Sequence, residues 1–243
     1  MPEALTRILI PIDVSDSTSR SDIDTQIVQS SEVVLLGYWP IPDQSAPSQI
    51  RNQFEEEAQQ RLEAVASRLT DEGVTVQTRL VFTNDTNQSI DGAANKYECE
   101  SILLPGTTSP PSETRRGLVL VKPNADLDRI VTTLGALFAD SDIELLLFHA
   151  ATNDNERLYD AIAYMLRGLA DRLTELGIDP DRIEWEQSFK GERLDVVLSR
   201  VSDFDFVVLG ETEPSVRERV FGSVQKTLAE ETAKPQLTIR SGV

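Results

Sequence analysis

The residues of this sequence whose types could do chemistry are few. His149 is the only histidine, so a multi-histidine zinc site or a Ser-His-Asp triad has nothing further to draw on. It closes the apolar run IELLLFHA (143–150) and reads as a satisfied polar residue near a strand end. Cys99 is the only cysteine, which excludes an intrachain disulfide, and it reads as a small hydrophobe approaching a strand. The pairs Asp179 with Asp181 and Asp203 with Asp205 are close enough in sequence to share a cation, but with 41 acidic residues such pairs are ordinarily surface. Lys122, Arg217 and Arg219 have the charge to attract an anion, and are as readily solvated surface groups. No carboxylate pair stands out for acid–base work, and no metal site is expected.

The elements that must position these groups follow from periodicity. ILIPI (8–12) is a short apolar run that ends at Asp13 and gives way to the polar stretch VSDSTSRSD, as a buried strand does on emerging into a loop. VVLLGYW (33–39) is a second strand, bounded by PIPDQSAPSQ, whose prolines cannot continue a ladder. Phe54, Ala58, Leu62, Val65 and Leu69 recur at helical spacing, with Gly73 as the stop. VTVQTRLVF (74–82) alternates as a strand, a helix is expected over 89–97, and SILLPG (101–106) is another buried strand.

After the polar link 107–116 the same order restarts. GLVLVK (117–122) is strand-like, LDRIVTTLGALF (127–138) helix-like and IELLLFHA strand-like. A long helix then carries Leu158, Ile162, Leu166, Leu169, Leu173 and Leu176 on one face, with Gly177 at its end. RIEWEQSF (182–189), a helix near 194–201, DFVVLG (205–210), a helix over 223–231 and the strand PQLTIR (235–240) complete the chain. Arg68-Leu69-Thr70 matches Arg172-Leu173-Thr174, Gly73 matches Gly177 and Gly106 matches Gly210, each pair 104 positions apart. One constant offset over that stretch marks an internal duplication. The expected fold class is therefore α/β, with two doubly wound, mostly parallel open sheets. One unit spans 1–110 and lacks a terminal helix and strand; the other spans 115–243. The edge of PQLTIR needs a partner strand, from the other unit or from another chain.

Composition limits the partners. The net charge of -18 repels phosphate backbones and disfavours nucleic acid. Abundant carboxylates with only five lysines make the composition similar to that of halophilic archaeal proteins. The opening MPEALTRILIPID lacks a basic stretch leading into an apolar segment, and no run approaches the roughly 18 apolar residues of a membrane span. A cytoplasmic protein without membrane insertion is expected.

Three stretches carry a family resemblance. RILIPIDVSDS, VVLLGYW and VVLGETEPSVRERVFGSVQKTLAEETAKPQLTIR resemble the universal stress proteins in order and length over nearly the whole chain. The resemblance implies a Rossmann-like unit, here in tandem, related to the adenine nucleotide alpha hydrolases. It also implies an aspartate after the first strand that contacts adenosine, and a loop after the fourth strand reading Gly, two residues, Gly, nine residues, Gly, then Ser or Thr. Glycines there admit phosphate close to the backbone, at a helix N-terminus. In the first unit Asp13 matches the aspartate, with Val14 where a glycine is expected, and Gly106-Thr107 begins a loop that continues into prolines. In the second unit Gly210 and Gly222-Ser223 match the outer parts of the loop. Glu213 stands at the inner glycine, and Lys122-Pro123 replaces the aspartate. The segment DVSDSTS also lacks the glycines of the SGGxDS loop used by related adenylating enzymes. The expectation is a non-catalytic stress-response or regulatory protein with a degenerate nucleotide site, requiring no cofactor and acting through protein contacts or self-association. The alternative is an ATP- or AMP-binding regulatory module with one half still occupied.

Overall fold

The computed structural model describes residues 5–16, 23–42, 47–107, 113–150, 156–188, 193–211 and 232–241. Strand β1 (Thr6–Asp13) leads through a short helix α1 (Thr25–Val28) to β2 (Ser31–Pro40). Helix α2 (Pro47–Asp71), β3 (Thr75–Thr83), α3 (Thr86–Lys96) and β4 (Ser101–Leu104) follow. The order then restarts with β5 (Arg116–Leu120), α4 (Leu127–Phe138), β6 (Glu144–Ala150) and α5 (Glu156–Glu175). A 3-10 turn, Pro180–Arg182, then precedes β7 (Ile183–Ser188), α6 (Arg193–Val201), β8 (Phe206–Gly210) and β9 (Gln236–Ile239).

The α/β class and mostly parallel pairing are as expected, but in place of two separate sheets the described strands form one. Its nine strands run β3-β2-β1-β4-β9-β8-β5-β6-β7. The junction is β9, which lies parallel to β8 and antiparallel to β4, pairing Ser101 with Ile239 and Leu104 with Gln236. The partner that PQLTIR needs is thus the other half of the same chain. The place beside β4, where a fifth strand of the first unit would lie, is filled by the strand that ends the second. GLVLV is the central strand of the second set, flanked by β6 and β8.

The two faces of the sheet differ. On one, a single apolar cluster runs across both halves, from Ile8, Val33 and Leu62 through Leu237 to Leu134, Leu145 and Leu166. On the other, Leu9, Val34 and Ile102 form one cluster and Leu118, Val197 and Val207 another. Strand alternation explains the gap: β9 turns Leu237 and Ile239 to the continuous core, leaving Gln236 and Thr238, with Arg240 beyond, buried on the divided face. Arg240 there donates to Cys99 O (3.2 Å) and to Asn95 Oδ1 (2.7 Å), and pairs with Asp91 Oδ1 at 3.4 Å, tying the end of β9 to α3. On the continuous side Thr114 Oγ1 donates to Asp24 Oδ2, and Thr114 N to Gln26 Oε1 at 2.5 Å.

Several boundaries differ from sequence expectation. Helix α2 begins at Pro47 rather than at Phe54, because proline is tolerated in the first turn of a helix and the Pro-rich stretch feeds into it. Helix α3 begins at Thr86, capped by Asp85 Oδ1 accepting from Gln88 N at 2.9 Å. Helix α1 leaves no mark in the sequence, since at four residues it is too short to show periodicity. The helix expected over 223–231 lies outside the described residues.

Candidate functional site

The carboxyl ends of β1 and β4 come together, since the two strands pair in parallel. These strands pair Ile8 with Ser101, an offset of 93 that sets Asp13 level with Gly106 when carried forward. Open parallel sheets bind ligands at such strand ends. What surrounds the two residues decides whether a ligand could use them.

Asp13 Oδ1 accepts from Ser15 N at 2.8 Å and from Ser15 Oγ at 2.6 Å, so one carboxylate oxygen closes its own turn. Val14, at the expected glycine, is 2 % exposed. Its Cγ1 lies 3.2 Å from where a Cβ on Gly37 would stand, so it packs inward against β2 and Leu62. Arg61 on α2 donates through Nη1 to Val14 O (2.8 Å) and Ser15 O (2.9 Å), is paired with Glu57 and lies 6.0 Å from the Trp39 ring centroid. The loop is thus tied to a helix whose sequence gives no sign of it: Arg61 reads as an ordinary polar residue beside the buried stripe. Tyr38, opposite Asp13 on β2, has its phenol pushed up by burial and secondarily by the Asp13 charge.

Gly106 is buried, and the space a side chain would need is occupied. A Cβ there would stand 2.5 Å from Ala233 O and 2.9 Å from Pro235 Cδ. The Thr107 N–H, a donor expected to face phosphate, donates instead to Ala233 O at 3.0 Å. Ala233 takes φ 53 to present that carbonyl, a left-handed conformation costly for a residue with a side chain. Gly106 therefore admits the segment leading into β9, more than a hundred residues away in sequence.

Gly210, its equivalent, ends β8 with a Cβ position 2.6 Å from Ile130 Cδ1 and 3.3 Å from Ala125 Cβ, so α4 packs down upon it. The next N–H, of Glu211, donates to Ile239 O at 2.9 Å. Glu211 accepts from Ser241 N at 3.1 Å, and burial pushes its carboxyl up. Lys122 is half-buried and opens the turn into α4, where its carbonyl accepts from Ala125 N at 3.0 Å. Gly222, Ser223, Arg217 and Arg219 lie outside the described residues.

The remaining candidates have structural partners. His149 is buried, and its Nδ1 lies 2.8 Å from Val121 O; because a carbonyl only accepts, Nδ1 carries the proton. Asp179 caps the 3-10 turn by accepting from Asp181 N at 2.9 Å. Asp205 Oδ2 accepts from Arg115 N and Arg116 N, at 2.9 Å each, and anchors the start of β5. Cys99 is buried, which raises its thiol to about 11. Among the described residues, no group of three or more His, Cys, Asp or Glu side chains is placed to hold a metal ion, and no helix is long and apolar enough to cross a membrane.

No family model matches the chain, and no curated protein does. Among solved structures it is similar to a universal stress protein from Archaeoglobus fulgidus, 12% identical, with 97% of this chain and 96% of that one covered at a TM-score of 0.68. That likeness is one of fold. A Pseudomonas aeruginosa protein described as a universal stress protein covers 98% of this chain and 94% of its own, at 13% identity and a TM-score of 0.49. An Arabidopsis thaliana universal stress family protein with AMP bound matches 53% of this chain and 93% of its own, at 18% identity and a TM-score of 0.40.

Proposed function

We propose that this chain is a non-catalytic regulatory protein of the universal stress type, cytoplasmic, in which the nucleotide site has decayed and action is through protein contacts. The observation that carries this reading is the Thr107 N–H, which donates to Ala233 O and so is already engaged by the chain's own backbone. Filling of the Gly106 face by Ala233 and Pro235 supports it, as does burial of Val14 at the position where the family pattern has glycine. A backbone that has closed on itself offers no cradle for a phosphate chain.

One observation favours the alternative, a module that still takes ATP or AMP. Asp13 Oδ1 holds both hydrogen bonds from Ser15, leaving Oδ2 without a hydrogen-bond partner among the described residues. That oxygen has the chemistry to accept from ribose hydroxyls.

Thermal melting in molar potassium chloride with ATP or AMP added to millimolar concentration separates the two. A ligand at about 100 times its Kd adds about 2.7 kcal/mol, roughly 5–10 °C of melting temperature for a chain of this size. No shift is expected. A saturable rise that Asp13→Ala removes would overturn the reading in favour of nucleotide in the first half.

A further inference from the structure

Among the described residues the nine-stranded sheet has two open edges, and they are unlike each other. Strand β7 is short and carries Glu184 and Glu186, charges of the kind that discourage strand addition. Strand β3 is nine residues long, TVQTRLVFT, with no proline, no glycine and no acid, in a chain with 41 acidic residues. Among the described residues only β2 pairs with it. Long edges of this composition are templates for a further strand unless something blunts them.

Two cations stand on one side of this edge, beside the Tyr97 ring. The Arg79 guanidinium lies 4.7 Å and the Lys96 ammonium 5.3 Å from the Tyr97 ring centroid. Neither forms an ion pair with a described carboxylate; Arg79 Nη1 instead donates to Thr78 O of its own strand at 2.6 Å. Alternation places Arg79 and Val81 on the α3 side, and Val76, Leu80 and Phe82, all half-buried, on the α2 side.

We propose that the outer edge of β3 is a docking edge for an extended, acidic segment of a partner protein, which would add as a tenth strand with carboxylates toward Arg79 and Lys96. Backbone hydrogen bonds along the edge would supply affinity, and alternating side chains the choice of partner. The proposal rests on the reading that the protein acts through protein contacts, and it names where. A second copy is a poorer occupant. Arg79 is the central residue of β3, so antiparallel self-pairing about that centre sets it against its own symmetry mate, and like charges directly opposite destabilise.

The probe is a labelled capped peptide, Thr-Glu-Val-Glu-Val-Glu-Thr, followed by fluorescence anisotropy with the intact chain in molar potassium chloride, where only close charge pairs survive screening. Saturable binding is expected. It should weaken by about tenfold or more when lysine replaces the glutamates or when alternate peptide amides are N-methylated. The same loss is expected for the double variant Arg79→Glu, Lys96→Glu and for the single variant Lys96→Glu in smaller degree, each checked to melt cooperatively, since Lys96 is exposed and Arg79 half-buried. Hydrogen exchange should show added protection confined to β3. No saturable binding at millimolar peptide, equal binding of the lysine or N-methylated peptide, or protection elsewhere would each overturn the proposal. So would sedimentation of the free chain as a dimer that Arg79→Glu alters. The nucleotide titration is read separately. Peptide binding together with nucleotide binding ends the decayed-site reading and leaves the edge; neither binding ends the edge alone.

Discussion

A methyl group placed on Gly106 would stand 2.5 Å from the carbonyl oxygen of Ala233, and that oxygen is backbone, so it cannot swing aside as a side-chain tip would. Gly106→Ala should therefore cost about 2 kcal/mol, in the range of overpacked cores, and lower the melting temperature by roughly 4–8 °C. An unchanged melting temperature would mean that the Ala233–Pro235 segment does not lie there. Asp24 gives a second expectation at this scale. Burial raises its carboxyl pKa against the hydrogen bonds from Thr114 and Gln26 that lower it, and the charges of Asp205 and Glu72 raise it further. The folded chain thus holds that proton more tightly than the unfolded one. Its contribution to stability is full below the ordinary carboxylate pKa of about 4 and is lost as pH rises through the raised value. Asp24→Asn cannot ionise, so urea midpoints measured upward from pH 4 should fall less steeply for the variant than for the parent; parallel curves would refute the assignment. The sequence made Asp13 and Gly106 legible because each follows an apolar run. It could not show what faces them, since Arg61 and Ala233 reach these residues through tertiary contacts that leave no local pattern.

At the scale of elements the strongest signals were stops. Gly73 and Gly177, 104 positions apart, take φ 90 and φ 100 just beyond α2 and α5, the left-handed conformation that ends helices at low cost when no Cβ is present. Helix α3 lacks this device. Its C-cap is Tyr97, and the following residue, Glu98, takes φ 53 while its N–H donates to Asn95 O at 3.2 Å. Glu98 is exposed, so little packing offsets the strain. Glu98→Gly should stabilise the chain by about 1 kcal/mol, the usual penalty for a side chain in that region, and chemical denaturation would show it as a higher midpoint with an unchanged slope. A lower midpoint would mean that the carboxylate contributes more than the backbone loses. Strands β1, β2, β4, β6 and β8 were readable because burial on both faces makes them continuous apolar runs. Helix α1 was not, since four residues cannot display a period.

The constant offset of 104 in the sequence leads to an expectation of two similar units, yet it carries no information on how many cooperative bodies result. That is decided by β9, whose Leu237 and Ile239 join the same apolar cluster as Ile8 and Val33 of the first half and Val119 and Leu134 of the second. Opening the chain between its halves would expose the β4 edge, break the Arg240 contacts with α3 and divide that cluster, so the halves stabilise one another. Calorimetry should accordingly show one transition, with the van't Hoff enthalpy equal to the calorimetric value. Two resolved transitions would mean that the shared strand does not couple the halves. The same argument applies to the first half taken alone. A fragment ending at residue 110 would carry β4 as a bare edge without β9, and Ile102 and Leu103, each 1 % exposed in the intact chain, would lose cover on that side. Such a fragment should show weak near-ultraviolet circular dichroism and bind hydrophobic dye, as chains do when they keep secondary structure but lose fixed packing. Adding the second half in trans should then restore a cooperative melt, because what the fragment lacks is a strand the other half supplies.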